Sequence, residues 1–212
     1  MNASHERTSW PWRTLTLPRV YSAFQERLAI PRSRAQIADL YVRARQGDSV
    51  LDLGCGPGDM LDYLPEVDYL GIDLNAKYLV EARRRHRGRS RTRFVQMDVR
   101  VLTDAGERFD LVLAQGLLHH FSDPQALILL RAVGSLMKPG GRLITLDPTR
   151  TPGQSLIARL LVLSDRGRFV RSPETYERLI RLVFSSVTVH VREDLMRLPY
   201  THLLMECEEP LR

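Results

Sequence analysis

The sequence predicts an α/β fold, a doubly wound and mainly parallel sheet with helices on both faces. Three observations carry that expectation. Short apolar runs suited to buried strands recur along the chain, with segments of helical periodicity between them. The first run opens directly into a glycine-rich loop and a further helical segment, over residues 48–64. The alternation then breaks near residue 186, where two strand-like runs follow one another across a link too short for a crossover helix. Those two should pair as an antiparallel hairpin.

Taken in order, residues 34–46 carry Ile37, Leu40, Tyr41 and Ala44 at helical spacing, with Gly47 as the stop. Residues 48–53 form the first strand, and a helix is expected over 58–64, behind the glycine loop. The second strand covers 69–74, and Asn75 is a good N-cap for a helix reaching residue 85. Strands follow at 93–97 and 109–114. Asp123-Pro124 caps a helix that ends near Lys138, and Pro139-Gly140-Gly141 makes a turn before a fifth strand at 142–146. The connection 148–171 is longer than usual and holds a short helix bearing Leu156, Ile157, Leu160, Leu161 and Leu163. A helix over 172–183 and strands at 186–191 and 202–207 complete the pattern.

At 212 residues the chain suits one domain, and 43% hydrophobic with 26% charged residues excludes a disordered or fibrous chain. The two cysteines, Cys55 and Cys207, have no CxxC spacing, so neither a disulfide framework nor a metal site is expected. A reducing, cytoplasmic setting fits. Residues 1–16 lack the apolar run of a signal peptide, and no stretch reaches bilayer-spanning length, so no transmembrane segment is expected. The formal charge of +6, mostly from arginine, suits an anionic substrate, a nucleic acid or a membrane surface without choosing among them.

Chemistry concentrates where the predicted strands end. Gly54, Gly56 and Gly58 let the backbone turn sharply and approach a ligand with no Cβ in the way. A dinucleotide fingerprint would read G-x-G-x-x-G, but here the third glycine comes one residue early and Asp52 precedes the first. A carboxylate there would repel a pyrophosphate, yet it can hold the loop and attract an ammonium group, as S-adenosylmethionine supplies. Asp73 ends the second strand about 20 residues on, where it can accept hydrogen bonds from both ribose hydroxyls. Asp98, past the third strand, can accept from an adenine amino group, with Met97 and Val99 offering apolar contacts to the ring.

The segment 52–58, Asp73, Asp98, residues 110–120 and the Lys138-Pro139-Gly140-Gly141 sequence together resemble the ordered motifs of class I S-adenosylmethionine-dependent methyltransferases of the small-molecule type. The resemblance covers roughly residues 34–207. It implies a Rossmann-like, seven-stranded, mainly parallel sheet with an antiparallel C-terminal hairpin at one edge. It also implies that Gly54 and Gly56 approach the methionine part, that Asp73 binds ribose, that Asp98 and Val99 bind adenine, and that Gln115 lies near the sulfonium. The cofactor set is then Asp52, Gly54, Cys55, Gly56, Gly58, Asp73, Leu74, Met97, Asp98, Val99 and Gln115, with Cys55 a small loop filler rather than a nucleophile. S-adenosylhomocysteine would be the product. The chain divides into an N-terminal cap or arm (1–33), a cofactor-binding core (34–147), a substrate-side insertion and helix (148–185) and the hairpin (186–212).

His119, His120 and Asp147 fall beside the expected reacting centre, and either histidine can act as a general base near neutral pH. Arg166, Arg168 and Arg171, in the long connection at the active end, are placed to meet a phosphate or carboxylate, which favours a small, anionic or lipid-linked acceptor. The run Arg83, Arg84, Arg85, Arg87, Arg89, Arg91 and Arg93 joins a helix to the start of a strand, so it should lie at the opposite end as a solvated face. Peripheral contact with acidic lipid or a partner is its other reading, and a nucleic-acid footprint is disfavoured. Residues 10–24 carry both tryptophans and could cap the site, rest on a membrane or pack on a second subunit. Methylation of a nucleic acid or protein, or cofactor binding without turnover, are the alternative functions. The sequence names neither acceptor nor oligomeric state.

Overall fold

The computed structural model describes residues 33–102, 106–163 and 167–211. Arg166 and the tryptophan-bearing segment 10–24 lie outside them. The strands are β1 (Ser49–Leu53), β2 (Asp68–Asp73), β3 (Thr92–Gln96), β4 (Phe109–Gln115), β5 (Met137–Pro148), β6 (Phe184–Arg192) and β7 (His202–Pro210). The helices are α1 (Ser33–Ile37), α2 (Ala76–Arg85), α3 (Asp123–Leu136), α4 (Leu156–Leu163) and α5 (Pro173–Ile180). One sheet takes the order β3-β2-β1-β4-β5-β7-β6. The first five strands in that order are parallel, while β7 runs antiparallel to both β5 and β6. The expected hairpin is present, with β7 inserted next to β5 and β6 at the edge.

Strands buried on both faces explain the near-continuous apolar runs. Along β1, Leu51 and Leu53 enter one core with Leu129 and Val133 of α3 and Tyr176 and Ile180 of α5. Val50 enters the other, with Ile37 of α1 and Leu79 and Ala82 of α2. The alternation of period two thus survives inside an apolar run. β4 divides in the same way, Val112 and Ala114 to the first core and Leu111 and Leu113 to the second.

Local signals mostly hold, with four differences. Asn75 caps α2 by accepting the Lys77 N–H, whereas the cap of α3 is Ser122, whose N–H donates to the Gln125 side chain at 3.1 Å. The expected helix over 34–46 is short: α1 passes into a π-helical turn, Ala38–Val42, whose last carbonyls accept from the Arg142 guanidinium. The expected helix after the glycine loop is a 3-10 turn, Asp59–Tyr63. Pro139-Gly140-Gly141 is not a separate turn but lies within β5, where the pairing with β4 shifts register between Phe109 and Leu111.

At the amino ends of the strands, Asp110 accepts from the Ser49 N–H at 2.8 Å and from Lys138 Nζ at 2.7 Å. Burial alone would raise that carboxyl, but these partners bring it down to about 2. Asp110 and Lys138 therefore join β1, β4 and β5 at the end opposite the glycine loop. Five arginines of the run are also engaged within the fold. Arg83 donates to the Phe94 carbonyl, Arg85 pairs with Asp59 and Asp62, and Arg89 donates to the Leu64 and Pro65 carbonyls. Arg91 pairs with Asp68 and Arg93 with Glu107.

Beneath the loop, Gly71 of β2 leaves just enough room for its neighbours. A Cβ there would stand 2.8 Å from Cys55 Sγ and 2.9 Å from the rings of Phe94 and Tyr69. Gly71→Ala should therefore cost about 1–3 kcal/mol, the usual penalty for overfilling a packed core, read as a lower urea midpoint. An unchanged midpoint would show that this packing yields.

Candidate active site

Most of the candidate residues gather at the carboxyl ends of β1, β2, β4 and β5, where open parallel sheets bind ligands. Gly54, Gly56 and Gly58 all take positive φ, at 71°, 54° and 77°. The loop is stitched to β2. The N–H groups of Gly54 and Cys55 both donate to the Ile72 carbonyl, at 2.8 and 3.0 Å, and the Gly56 N–H donates to Asp73 Oδ2 at 2.9 Å. The other Asp73 oxygen accepts the Asn75 N–H at 2.7 Å. Position 58 is closed to any side chain, because a Cβ would lie 2.9 Å from His86 Nε2. The His86 ring is bonded to the Gly58 carbonyl at 3.0 Å and is held below its ordinary pKa mainly by burial. His86 was hidden within the arginine run, and its contact explains the early third glycine.

Asp52 lies under this loop, 4% exposed, and its Oδ2 accepts the Tyr69 hydroxyl at 2.6 Å. Burial, with Asp73 and Asp59 adding like charge, pushes its pKa up to about 7 against the opposing pull of the Tyr69 bond. Its direct partner is thus a phenol of β2. Cys55 is buried beside it, and burial raises its thiol far above the usual range, as suits a filler.

Asp98 caps the 3-10 turn Val99–Val101 by accepting the Arg100 N–H at 3.0 Å, and both its oxygens lie 2.9 Å from Arg100 Nε. Val99 is buried in the core and Met97 packs against the same cluster. Leu74, by contrast, is 62% exposed beside Asp73. At the end of β4 the Gln115 Nε2 is buried with no hydrogen-bond partner. A buried amide without an acceptor is costly. The positive-φ loop, the Asp73 carboxylate and this amide fit a nucleoside bearing a zwitterionic tail.

Past β4, a second cluster forms. Asp147 is fully buried, and its Oδ1 accepts the His119 N–H at 3.1 Å and lies 2.7 Å from His119 Nδ1. Its Oδ2 is buried without a hydrogen-bond partner. The His120 ring leans on that of His119 at 4.2 Å between centroids. Residues 167–171 fold over this pair, with the Phe169 N–H donating to the His119 carbonyl at 2.9 Å. A Cβ at Gly167 would fall 1.8 Å from His119 Cδ2, so only glycine fits.

Arg171, expected to face an acceptor, is instead buried and engaged within the fold. Its guanidinium donates to Asp123 Oδ1 and to the carbonyls of Leu118, Phe169 and Phe121, at 2.8, 3.2, 2.9 and 2.6 Å. The segments after β4 and β5 are joined through it. Arg168 is exposed on the same segment.

The Asp52 carboxyl binds a proton more tightly in the folded chain than at its ordinary value of 3.8. The protonated form therefore contributes stability that is complete below that value and is lost as pH rises through about 7. Asp52→Asn removes this group. Between about pH 5 and about pH 8 the wild-type urea stability should fall by on the order of 2 kcal/mol more than that of the variant. Parallel pH profiles would show that Asp52 does not titrate in this range.

Residues 50–141 match the methyltransferase domain family. The ubiquinone biosynthesis O-methyltransferase of Xanthomonas axonopodis pv. citri is 38% identical over 140 residues, which are 57% of this chain and 56% of that protein. The phosphoethanolamine N-methyltransferase of Triticum aestivum is 29% identical over 155 residues, 71% of this chain and 30% of that one. The chain thus spans little more than half of the first relative and under a third of the second. Among solved structures, the N-methyltransferase NodS of Bradyrhizobium japonicum WM9 in complex with S-adenosyl-L-homocysteine has the same fold, with a TM-score of 0.62 at 17% identity over 95% of this chain and 92% of that one. The matched stretch runs from β1 into β5 and includes the glycine loop, Asp73, Asp98 and Gln115. With its strand order and its acidic residues at successive strand ends, the chain is thus similar over residues 50–141 to the methyltransferase domain family and shares the fold of a solved methyltransferase.

Proposed function

We propose that this chain transfers the methyl group of S-adenosylmethionine to a small acceptor and leaves S-adenosylhomocysteine. When bound, the cofactor supplies an electrophilic methyl on sulfur; the acceptor lone pair forms the new bond as the methyl–sulfur bond breaks and its electrons return to sulfur. The observation that carries the reading is the Asp73 carboxylate, which holds the Gly56 amide with one oxygen and the Asn75 amide with the other. A carboxylate at this strand end is also placed to accept hydrogen bonds from ribose hydroxyls. Leu74, exposed beside it, offers an apolar cover for adenine, and Met97 and the Asp98 carboxylate are further contacts for the base. The partnerless Gln115 amide supports a polar ligand atom near the reacting centre.

For a hydroxyl acceptor we assign His119 as the group that takes the proton. With the Asp147 carboxylate on Nδ1, the favoured tautomer carries its proton there and has its basic lone pair at Nε2. Arg168, exposed on the segment that covers His119, supports an acceptor bearing a phosphate or carboxylate. The names of the relatives, a ubiquinone-pathway O-methyltransferase and a phosphoethanolamine N-methyltransferase, agree with a small acceptor of either atom type. The second of them favours a reading in which an amine is methylated and no base is needed.

Calorimetric titration tests the cofactor assignment. Asp73→Ala should weaken S-adenosylmethionine binding by at least tenfold and Asp98→Ala by less; a wild-type chain that binds neither donor nor product would overturn the reading. Turnover can be followed as S-adenosylhomocysteine release across a panel of phenols, carboxylates and amines. With a phenol, His119→Ala should lower kcat by on the order of 10²–10⁴ and remove the acidic limb of the pH–rate profile. Unchanged kcat would leave the His119–Asp147 pair a purely structural tie. Arg168→Ala should raise KM for an anionic acceptor and leave donor affinity unchanged.

A further inference from the structure

Helix α4 is apolar nearly all the way round, with Arg159 its only charged residue. Such helices are found buried or in contact with lipid. Here one side packs inward, with Ala158 and Val162 only 4% and 2% exposed. On the other side Leu156, Ile157 and Leu160 are 77%, 58% and 66% exposed, and their i, i+1, i+4 spacing puts them on one face. Next to α4 lies the link between β6 and β7. Ser155 and Ala158 share a cavity of about 400 Å³ with Met196, Leu198, Pro199 and Tyr200. Leu198 is itself 41% exposed. Both elements stand at the carboxyl end of β5, since Pro148 pairs with His202.

The charge around this patch is mainly basic. Arg159 flanks the apolar face on α4, and Arg197 is exposed on the link. Of the nearby acids on the link, Asp194 is paired with Arg192, while Glu193 accepts from the Thr201 hydroxyl. The whole chain carries +6. An apolar face bordered by arginine, on a basic protein, is complementary to an anionic bilayer, where the leucines enter the headgroup boundary and the guanidinium groups meet phosphates.

We propose that α4, with Leu198 and Arg197 of the neighbouring link, is a peripheral docking surface for anionic membrane lipid. Leu156, Ile157 and Leu160 supply the inserted face, and Arg159 and Arg197 the electrostatic attraction. The docked face lies at the active end of the sheet. If the methyl-transfer reading holds, an acceptor with an apolar tail would be held in the bilayer at the end of the sheet where the site lies.

Cosedimentation with vesicles tests this directly. The wild-type chain should bind phosphatidylglycerol–phosphatidylcholine vesicles and bind phosphatidylcholine alone at least tenfold more weakly. Leu156→Ser combined with Leu160→Ser should reduce binding to the mixed vesicles at least tenfold, and Arg159→Gln with Arg197→Gln should remove the preference for anionic lipid. S-adenosylmethionine titration of each variant reports that it is folded and keeps failure of docking separate from failure of the cofactor assignment. A wild-type chain that does not bind anionic vesicles overturns the proposal. So does a serine double variant that binds as well as wild type, or one that converts a dimer to a monomer without changing vesicle binding, since the face would then be covered by a second copy.

Discussion

A loop that leaves the end of a parallel strand must keep its amides away from the ladder if they are to meet a ligand, and something else has to hold it open. Here β2 does so. Its Ile72 carbonyl takes two loop amides and its Asp73 carboxylate a third, so the path of residues 54–56 is set by a neighbouring strand before any ligand arrives. The same carboxylate is the one proposed for a ribose, so on that reading loop shape and ligand recognition are one property. Under the loop, the Asp52–Tyr69 bond ties β1 to β2 a second time, in a layer closed to water. The loop at this end is thus held in place by bonds to the neighbouring strand.

The other half of the site is organised by burial of charge. Asp147 at the end of β5 accepts both the main chain and the ring of His119, and Arg171 ties residues 118–123 to the segment that follows β5. A guanidinium with four partners and little exposure is expensive to leave unpaired, so the covering segment 167–171 has one favoured position. Gly167 is where that segment comes closest to the imidazole, and the absence of a side chain is what permits the approach.

Much of this was readable from residue order. Strands buried on both faces leave apolar runs, the glycine loop marks where the first of them ends, and Asp73 and Asp98 fall at the next two strand ends. What could not be read depended on partners distant in sequence. The helix expected after the loop is a 3-10 turn, and the adjoining Gly58 packs against His86, 28 residues on. Arg171 looked like a ligand contact because an arginine in a loop at the active end reads the same whether it meets a phosphate or four internal oxygens. Three of those four partners lie about 50 residues back along the chain. The pairing of Asp98 with Arg100, two residues apart, was within reach of the sequence and restrains a carboxylate otherwise assigned to adenine alone.

Strand β3 stands at the open edge of the sheet, and an edge offers its unpaired amides and carbonyls to any extended chain that drifts past. It is five residues long, and the arginines at positions 91 and 93 stand at its entrance, each more than half exposed even while paired with an acid. A second copy approaching edge to edge would meet two guanidinium groups that have to shed water before any ladder could form. Charged, solvated arginines at a short edge strand are the kind of feature that disfavours edge-to-edge pairing of sheets.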